Sequence, residues 1–521
     1  MISNKYLKYI GVFLFFFFIF LSLHFLIQGF WGSDPYYYSK HSSLILQERN
    51  ITIIQPWIQY HFFANLPTNP WLGYEVILAG FIYCFGAIWG TKILISFLAS
   101  LIFVSFYFIF RQWQIKRPFV WTVFLFFISN AFLYRLFLER AFVGTITLLL
   151  LGVYCMFKKK YWLLFIISIF CTLYHQLAPL ILSLPIFYCI ASLFLRKKID
   201  LKLLIAILGG LLVGLVLHPN SFNYIYIWFI TFIKILYLKF TGVNLNVGAE
   251  LQIQPFNNFL ENNVIFLISY LIAIPIFIKN FIEKKTNIIT TTLFLISIFW
   301  FILSLAIIRG IEFWIPFSWL FVVLIFSKFS QSKDFILVKQ FISQKVHIKL
   351  TKFFIVSIAL IFIGYNIFDL FNDIFIHNQN NTDIYFEEAN EWLIENTQKD
   401  SIVFYPIWSM FPRMFFYNSH NYYIAGMDPT FLYEYNKEIY YTWANISYYG
   451  VYCPQAWPCL DLTPQQELEA VSIATRRILE SETIIIPNKE ENILYKVLHN
   501  LSDDFEQVFA NKELLIFKLL D

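Results

Sequence analysis

Long apolar runs, separated by short polar or basic segments, organise about the first 370 residues of the chain. Runs of this kind match the roughly 20 residues that a helix needs to cross a bilayer. The apolar segment 74–90 carries Glu75 and three glycines, so we assign it to a helix on the outer membrane surface. The pattern predicts eleven transmembrane helices, near residues 6–30, 92–110, 118–136, 141–157, 160–174, 177–195, 201–217, 263–280, 287–308, 311–327 and 353–371.

Basic residues fall mainly between these helices on one side of the membrane. The predicted inner loops hold Lys158 to Lys160, Arg196 to Lys202 and the long polar loop from Lys328 to Lys352. By the positive-inside rule, the N-terminus lies in the cytoplasm and, after eleven crossings, the C-terminus lies outside. The first apolar run lacks a small-residue cleavage site and is predicted to stay as a helix. The sequence therefore predicts a multi-pass protein of the plasma (inner) membrane.

The composition agrees with a membrane protein and excludes an ordinary soluble domain. Of the 521 residues, 59% are hydrophobic and only 14% are charged, against about 25% charged in soluble proteins. The net charge of +5 needs no nucleic acid, because basic loops on one membrane face account for it. No nucleotide-binding glycine pattern, zinc-ligand spacing or haem motif occurs in the sequence.

After residue 371 the composition shifts towards Glu, Asp, Asn and Tyr. We divide the chain into a membrane domain, 1–371, with outer loops 31–91 and 218–262, and an extracytoplasmic soluble domain, 372–521. In the second domain the pattern predicts helices over 383–396 and 465–480 and strands over 402–405 and 483–486. The fold class is therefore a polytopic α-helical membrane protein with a C-terminal α/β domain.

Two cysteines in the C-terminal domain flank a short polar loop. Cys453 and Cys459 are predicted to form a disulfide if that loop is extracytoplasmic, and a metal pair is the weaker interpretation. The four other cysteines lie in apolar runs and are interpreted as core residues.

Ionisable residues collect where the predicted helices reach the outer boundary. Residues at such positions are costly and often face a cavity, although each has a structural alternative: an ion pair in a tight turn, a helix-end histidine, a helical salt bridge or plain exposure. The stretch Trp31 to Tyr38 places a carboxylate among aromatic side chains directly after the first helix, where an interfacial aromatic belt is the alternative. The set comprises Asp34, Glu139, Arg140, His175, His218, Glu250, Arg309 and Glu312.

This arrangement resembles the GT-C class of integral membrane glycosyltransferases, which includes the oligosaccharyltransferase catalytic subunit and the protein mannosyltransferases. In that class an acidic residue follows the first helix, as Asp34 does, and a surface helix precedes the second. A second acidic site in the next outer loop falls at Glu139, and a glutamate in a later outer loop falls at Glu250. Ile407 to Pro412, which contains Trp408, distantly resembles the tryptophan-rich motif of the oligosaccharyltransferase group. The segments 415–429 and 309–316 are a more specific likeness, to bacterial proteins related to this class.

The resemblance implies transfer of a sugar or oligosaccharide from a polyprenyl-phosphate donor to an acceptor glycan, lipid or protein on the extracytoplasmic face. A carboxylate would activate the acceptor, and cations would offset charge on the departing phosphate. A divalent metal, Mg²⁺ or Mn²⁺, stays open, with Asp34 and Glu139 as candidate ligands. The implied catalytic residues are Asp34, Glu139 and Glu250, and the implied substrate-binding residues are Arg140, His175, Arg309, Glu312, Tyr37, Trp408 and Asp428.

Two departures from the class and two other functions bear on this hypothesis. The second outer loop has no Asp-x-Asp, and the paired tryptophans of the peptide-sequon reader are missing, which argues against transfer to an asparagine sequon and against a metal. A transporter of lipid-linked saccharides predicts charged residues at mid-bilayer depth and repeated halves. A non-catalytic protein that binds or assembles surface glycan predicts that Asp34, Glu139, Glu250 and Arg309 need not meet.

Overall fold

The computed structural model describes residues 4–53, 57–62, 67–243, 245, 248–336, 348–453 and 463–520. Its first part is a helical bundle and its second part is a small mixed sheet with helices around it. The membrane part contains α1 (Asn4–Phe25), α2 (Asp34–Glu48), α3 (Leu72–Phe85), α4 (Ala87–Gln112), α5 (Pro118–Phe127), α6 (Asn130–Phe137), α7 (Phe142–Phe157), α8 (Tyr161–Tyr174), α9 (Ser183–Phe194), α10 (Leu201–Leu217), α11 (Ser221–Phe229), α12 (Ile235–Phe240), α13 (Phe256–Ile282), α14 (Ile288–Ala306), α15 (Ile311–Phe329) and α16 (Ile348–Gln379).

Among the described residues, seven helices are long and apolar enough to cross a membrane, or eight if the bent pair α5–α6 is one span. Several predicted spans, such as α7, α8 and α10, are apolar but shorter. A multi-pass membrane protein follows from these helices. The eleven crossings and the cytoplasmic N-terminus stay predictions.

Three stretches differ from the sequence-based prediction. The first helix ends at Phe25 because Gly29 adopts a positive φ of 62° and turns the chain, and a separate helix, α2, then begins at Asp34. The predicted helix 118–136 is bent by 85° between Phe127 and Asn130, where the Ser129 side chain caps α6. The predicted outer loop 218–262 contains α11 and α12, joined by the π-helical segment Ile230–Lys234.

The segment predicted as a surface helix is α3, which turns at Gly86 into α4. The Glu75 side chain on α3 is fully buried and its Oε2 lies 2.6 Å from Nδ1 of His41 on α2. Glu75 therefore ties α3 to α2 and does not meet water. This contact helps to fix α2, which carries Asp34.

The bundle packs tightly through aromatic side chains. Phe16 of α1 stacks on Phe103 of α4 with ring centroids 4.1 Å apart. Helix α15 is buried on nearly all sides, with Trp314 and Trp319 fully or almost fully enclosed. The N-terminal end of α15, which holds Glu312, is consequently a rigid part of the site described below.

The C-terminal domain is an α/β unit, as predicted. Its elements are α17 (Asp383–Asn396), β1 (Ile402–Phe404), α18 (Phe411–Tyr417), β2 (Tyr422–Tyr423), α19 (Pro429–Tyr435), α20 (Lys437–Tyr449), α21 (Pro464–Arg477), β3 (Ser481–Pro487), α22 (Ile493–Asn500), β4 (Phe505–Ala510) and β5 (Leu514–Leu519). The five strands form a mixed sheet in the order β2–β1–β3–β5–β4, with β1 parallel to β2 and β3 and the other pairs antiparallel.

The C-terminal domain rests on the loops that carry the candidate site. The Tyr423 main chain at the sheet edge accepts a hydrogen bond from Gln59 at 2.9 Å and donates one to Trp57 at 2.7 Å. Lys234 pairs with Glu434 at 3.2 Å. These contacts hold the C-terminal domain on the predicted outer loops 31–91 and 218–262. Cys453 is disulfide-bonded, while Cys459 lies outside the described residues, so their pairing stays a prediction.

Candidate functional site

A cluster of arginines and carboxylates forms where α2, the α6–α7 turn and the start of α15 meet. Asp34 is the first residue of α2, and Pro35 behind it fixes the helix start. Its Oδ2 lies 3.0 Å from Nε of Arg140, which sits in the α6–α7 turn. The Asp34 side chain is 34% exposed, so this carboxylate stays open to a substrate.

Glu250 joins the cluster from the loop between α12 and α13. Nη1 of Arg140 donates to both carboxyl oxygens of Glu250 at 2.7 Å. Arg309 donates to Oε2 through Nε at 2.7 Å and approaches it with Nη2 at 2.6 Å. The structure thus brings Asp34, Arg140, Glu250 and Arg309 together from segments far apart in the sequence.

Arg135 is a member of this cluster that the sequence analysis missed. It lies on α6 and donates one hydrogen bond to Glu250 and another to Glu312, and its side chain and that of Glu312 are both buried. A single arginine inside an apolar predicted span was the available signal, because such residues usually face a partner or a cavity.

In the described part of the chain, the cluster pairs three guanidiniums with the carboxylates of Asp34, Glu250 and Glu312. Burial of Glu250 favours its neutral form, but Arg309, Arg140 and Arg135 together hold the pKa of this carboxyl well below its usual range. Glu250 therefore carries its charge, and the cluster is close to electrical neutrality.

Glu139 precedes Arg140 in the chain but points away from the cluster. Its fully buried carboxyl accepts a hydrogen bond from the Trp31 backbone N–H at 2.9 Å and lies 3.5 Å from Nδ1 of His24. Burial raises the pKa of Glu139 to about 8, although Lys92 opposes this shift. The expected approach of Glu139 to Asp34 is therefore not seen: Glu139 holds the turn that precedes Asp34.

We expect Glu139→Gln to leave stability within about 0.5 kcal/mol of the parent at pH 7, because the buried carboxyl is neutral there and glutamine keeps an acceptor for Trp31. Glu139→Ala should cost about 1–3 kcal/mol, since it leaves that N–H without a partner. Thermal unfolding of both variants at several pH values measures this.

The free energy of unfolding should depend on pH with a defined sign, because the pKa of Glu139 is raised in the folded chain. The folded chain keeps a proton on Glu139 that the unfolded chain releases above its ordinary pKa of 4.5, so stability falls as the pH rises from there to about 8. Glu139→Gln should remove this part of the dependence. If Glu139→Gln instead abolished sugar transfer while the fold survived, Glu139 would be catalytic or a metal ligand.

The remaining sequence-predicted residues divide between the cluster and the protein core. Tyr37 packs its ring on His41 and Phe415 and is 2% exposed. One residue further on, Tyr38 lies beside the cluster: burial and then the Asp34 carboxylate raise the pKa of its hydroxyl well above the usual range. Because Tyr38 is one helical turn from Asp34, both side chains point the same way.

The two predicted histidines are buried and partnered. His175 Nδ1 lies 2.9 Å from the Thr145 hydroxyl, and burial followed by the charge of Arg309 lowers its pKa to about 3. His218 bonds through Nε2 to the Asn69 carbonyl at 3.1 Å and stacks on Tyr224. Neither histidine carries a charge at neutral pH in this setting, because burial lowers both pKa values.

The C-terminal domain contributes two predicted residues near the loop of Glu250. The Trp408 ring packs against the loop at Gly248, where a Cβ atom would lie 3.4 Å from it. Asp428 caps α19 by accepting the Thr430 N–H at 2.8 Å, and burial raises its pKa. Asp428 thus has a local structural partner, and Trp408 steadies the loop.

An apolar cavity of about 660 Å³ opens beside the arginines. Arg309 and Glu312 lie at its polar end. The other walls are mainly apolar side chains from the turn before α9, the π-helical segment, α12, α14, the start of α15 and the Glu250 loop, among them Leu180, Ile235, Leu251, Trp300 and Phe313. A charged end joined to an apolar chamber suits a ligand that has an anionic head and a hydrocarbon tail.

The described residues do not gather three or more His, Cys, Asp and Glu side chains in a geometry that could hold a metal ion. Asp34 and Glu139, the candidate ligands, point in different directions, and Asp34 is paired with a guanidinium. Asp34 and Glu139 therefore do not fit a shared metal site.

Solved structures show which fold this is. No protein-family model and no curated protein sequence matches the chain. The archaeal oligosaccharyltransferase AglB from Archaeoglobus fulgidus, in complex with an inhibitory peptide and a dolichol-phosphate, aligns with a TM-score of 0.58 at 13% identity, over 95% of this chain and 71% of that one.

Two further transferases align over almost the whole chain. ArnT from Cupriavidus metallidurans, bound to undecaprenyl phosphate, gives a TM-score of 0.53 at 10% identity and covers 99% of this chain and 98% of its own. The arabinofuranosyltransferase AftD from Mycobacteria gives a TM-score of 0.54 at 9% identity and covers 98% of this chain and 40% of its own. All three are GT-C glycosyltransferases, and the chain has a GT-C-like fold.

Proposed function

We propose that this protein is a membrane glycosyltransferase that moves a sugar or oligosaccharide from a polyprenyl-phosphate-linked donor to an acceptor on the extracytoplasmic face. The observation that carries the proposal is the meeting of Asp34, Arg140, Glu250 and Arg309 beside an apolar cavity whose wall includes Arg309. The GT-C-like fold supports the same reaction class, because solved relatives of this fold hold dolichol-phosphate or undecaprenyl phosphate.

The cavity suits both parts of the donor, because its charged residues match the phosphate and its apolar walls match the polyprenyl chain. Guanidinium groups recognise phosphate through forked hydrogen bonds, so Arg309 and Arg140 would take the phosphate. The apolar walls formed by residues such as Leu180, Ile235 and Trp300 would take the first isoprene units. His175, neutral and close to the charge of Arg309, would line the deep side of the phosphate site.

The acceptor reacts at the exposed side of the cluster. The Asp34 carboxylate would accept the proton of an acceptor hydroxyl or amide as its oxygen or nitrogen bonds to the anomeric carbon. The bond from that carbon to the phosphate oxygen breaks, and the electron pair leaves with the polyprenyl phosphate. Arg309 and Arg140 would stabilise the charge that develops there. Arg140, which contacts both Asp34 and Glu250, links the two halves of the reaction.

A non-catalytic glycan-binding protein is the second candidate function. It gives no reason for three guanidiniums and three carboxylates to meet beside an apolar cavity, whereas a transferase needs both. A transporter is not favoured either, because the ionisable cluster lies against the C-terminal domain at one end of the bundle. Trp408, which packs on the loop at Gly248, would help to shape the acceptor side under the transferase proposal.

We expect Arg309→Gln to weaken binding of undecaprenyl phosphate about 10- to 100-fold, since one charge-assisted pair is worth roughly 1.5–3 kcal/mol. Its side chain is 41% exposed, so the fold should survive the change. Titration of the protein in nanodiscs with undecaprenyl phosphate measures the affinity, and exposed Arg49→Gln is the matched control. Equal affinities for the parent and both variants would remove Arg309 from the donor site.

A further inference from the structure

The carboxylate of Glu250 is bound in the way that a phosphate would be. Oε1 accepts hydrogen bonds from Arg135 and Arg140, and Oε2 accepts them from Arg140 and Arg309. Both oxygens are therefore saturated by guanidiniums. In this conformation Glu250 presents no free lone pair to an acceptor, which does not suit the catalytic role expected from the sequence.

Charge balance shows what Glu250 does for the cluster. Without it, the guanidiniums of Arg135, Arg140 and Arg309 would face only the carboxylates of Asp34 and Glu312. The site would then carry one net positive charge at the mouth of an apolar cavity. Any anionic lipid headgroup could satisfy that charge, because guanidiniums bind phosphate in general. A single phosphodiester would restore neutrality as Glu250 does.

Glu250 is also the carboxylate that can most readily leave. Asp34 begins α2 and Glu312 lies in the first turn of buried α15, so rigid helices hold both. Glu250 lies in a single 3₁₀ turn, Ala249–Leu251. Leu251 and Gln252 from the same loop form part of the cavity wall. A movement of this loop would expose Arg140 and Arg309 and widen the cavity at once.

We infer that Glu250 occupies the position of the donor phosphate in this structure and is a specificity-determining residue: it competes for Arg140 and Arg309 and so excludes common anionic phospholipids. This inference rests on the proposed function, because it assumes that a lipid phosphate binds these arginines. The polyprenyl donor displaces Glu250 because its tail also fills the apolar cavity. A phospholipid with two acyl chains offers the same charge without that fit.

The test compares Glu250→Gln with the parent protein in phosphatidylcholine nanodiscs titrated with undecaprenyl phosphate. Glutamine keeps the size of the side chain but removes the charge that competes for the arginines. We expect about tenfold tighter binding by the variant, and clear competition by phosphatidylglycerol that the parent resists. Glu261→Gln, an exposed change at the start of α13, is the matched control and should bind like the parent.

Equal or weaker binding of undecaprenyl phosphate by Glu250→Gln would overturn the inference. A second measurement uses the parent protein and does not depend on the variant's folding. Undecaprenyl phosphate should increase hydrogen exchange at residues 248–252, because the loop leaves the arginines when the lipid binds. Unchanged or slower exchange there would also overturn it.

The two proposals fail in different ways. If Arg309→Gln weakens binding but Glu250→Gln does not strengthen it, the donor site stands and the role of Glu250 as a competitor falls. If neither change alters the affinity for undecaprenyl phosphate, the phosphate does not bind these arginines, and the proposed function loses its donor site.

Discussion

Replacing Asp34 with Asn should lower sugar transfer by about 10³-fold, within the range that removal of a general base costs. Asparagine has the same shape and keeps a side-chain oxygen beside Nε of Arg140, so the cluster should keep its geometry. What it loses is the ability to take a proton from the acceptor. Binding of undecaprenyl phosphate, which we propose depends on Arg309 and Arg140, should be retained or become tighter, because the change removes one carboxylate that pairs with Arg140. Transfer and lipid binding measured on the same preparation separate the two effects.

The matched control for this variant is Asp503→Asn, an exposed change in the C-terminal domain. It removes the same charge at a distance from the cluster and should leave transfer intact. Full activity in Asp34→Asn would show that another group activates the acceptor. Loss of both transfer and lipid binding would instead assign Asp34 to the fold or to the donor site.

The second large effect is on stability. Replacing Arg135 with Gln should cost about 3–5 kcal/mol, because breaking one side of a buried ion pair leaves the other charge uncompensated. Arg135 lies between Glu250 and Glu312, and both Arg135 and Glu312 are buried. The free energy of unfolding in detergent, or the midpoint of thermal unfolding, measures the loss.

Adding Glu312→Gln to Arg135→Gln should recover part of the loss, since the second change removes the charge that the first one exposed. The recovery is the signature of a direct pair and would not follow from general damage to α6. If Arg135→Gln cost no more than the exposed Arg49→Gln, the buried pair would not stabilise this part of the fold.

Much of the architecture could be predicted because it depends on local patterns. Apolar run length shows where helices lie in the membrane part. The change of composition after residue 371 predicts a separate C-terminal domain, although α16 continues past that position to Gln379. The helix over 383–396 and the strands near 402 and 483 follow from periodicity and are confirmed within a few residues. The basic residues in the loops lead us to expect Asp34, Glu139, Glu250 and Arg309 on one face. The structure places Asp34, Glu250 and Arg309 in one cluster, and Glu139 points away from it.

The parts that escaped prediction depend on contacts between distant segments. Hydropathy alone does not show that Ser129 breaks the predicted helix 118–136, because most of the flanking residues are apolar. The bend brings Arg135 to Glu250 and Glu312. The direction of Glu139 is set by one backbone N–H of Trp31, which no sequence pattern records. Glu139 and Arg140 are adjacent in the sequence, yet Glu139 is buried against Trp31 whereas Arg140 joins the cluster.

The central claim is that this cluster transfers a sugar from a polyprenyl-phosphate donor. The most direct measurement incubates the purified protein in nanodiscs with lipid-linked saccharides and cell-envelope acceptors extracted from cells that lack the gene, followed by mass spectrometry. We predict loss of the lipid-linked sugar, release of polyprenyl phosphate and a glycosylated acceptor with the parent protein, but not with Asp34→Asn. An unchanged lipid-linked pool with the parent protein, or equal conversion by Asp34→Asn, would contradict the account.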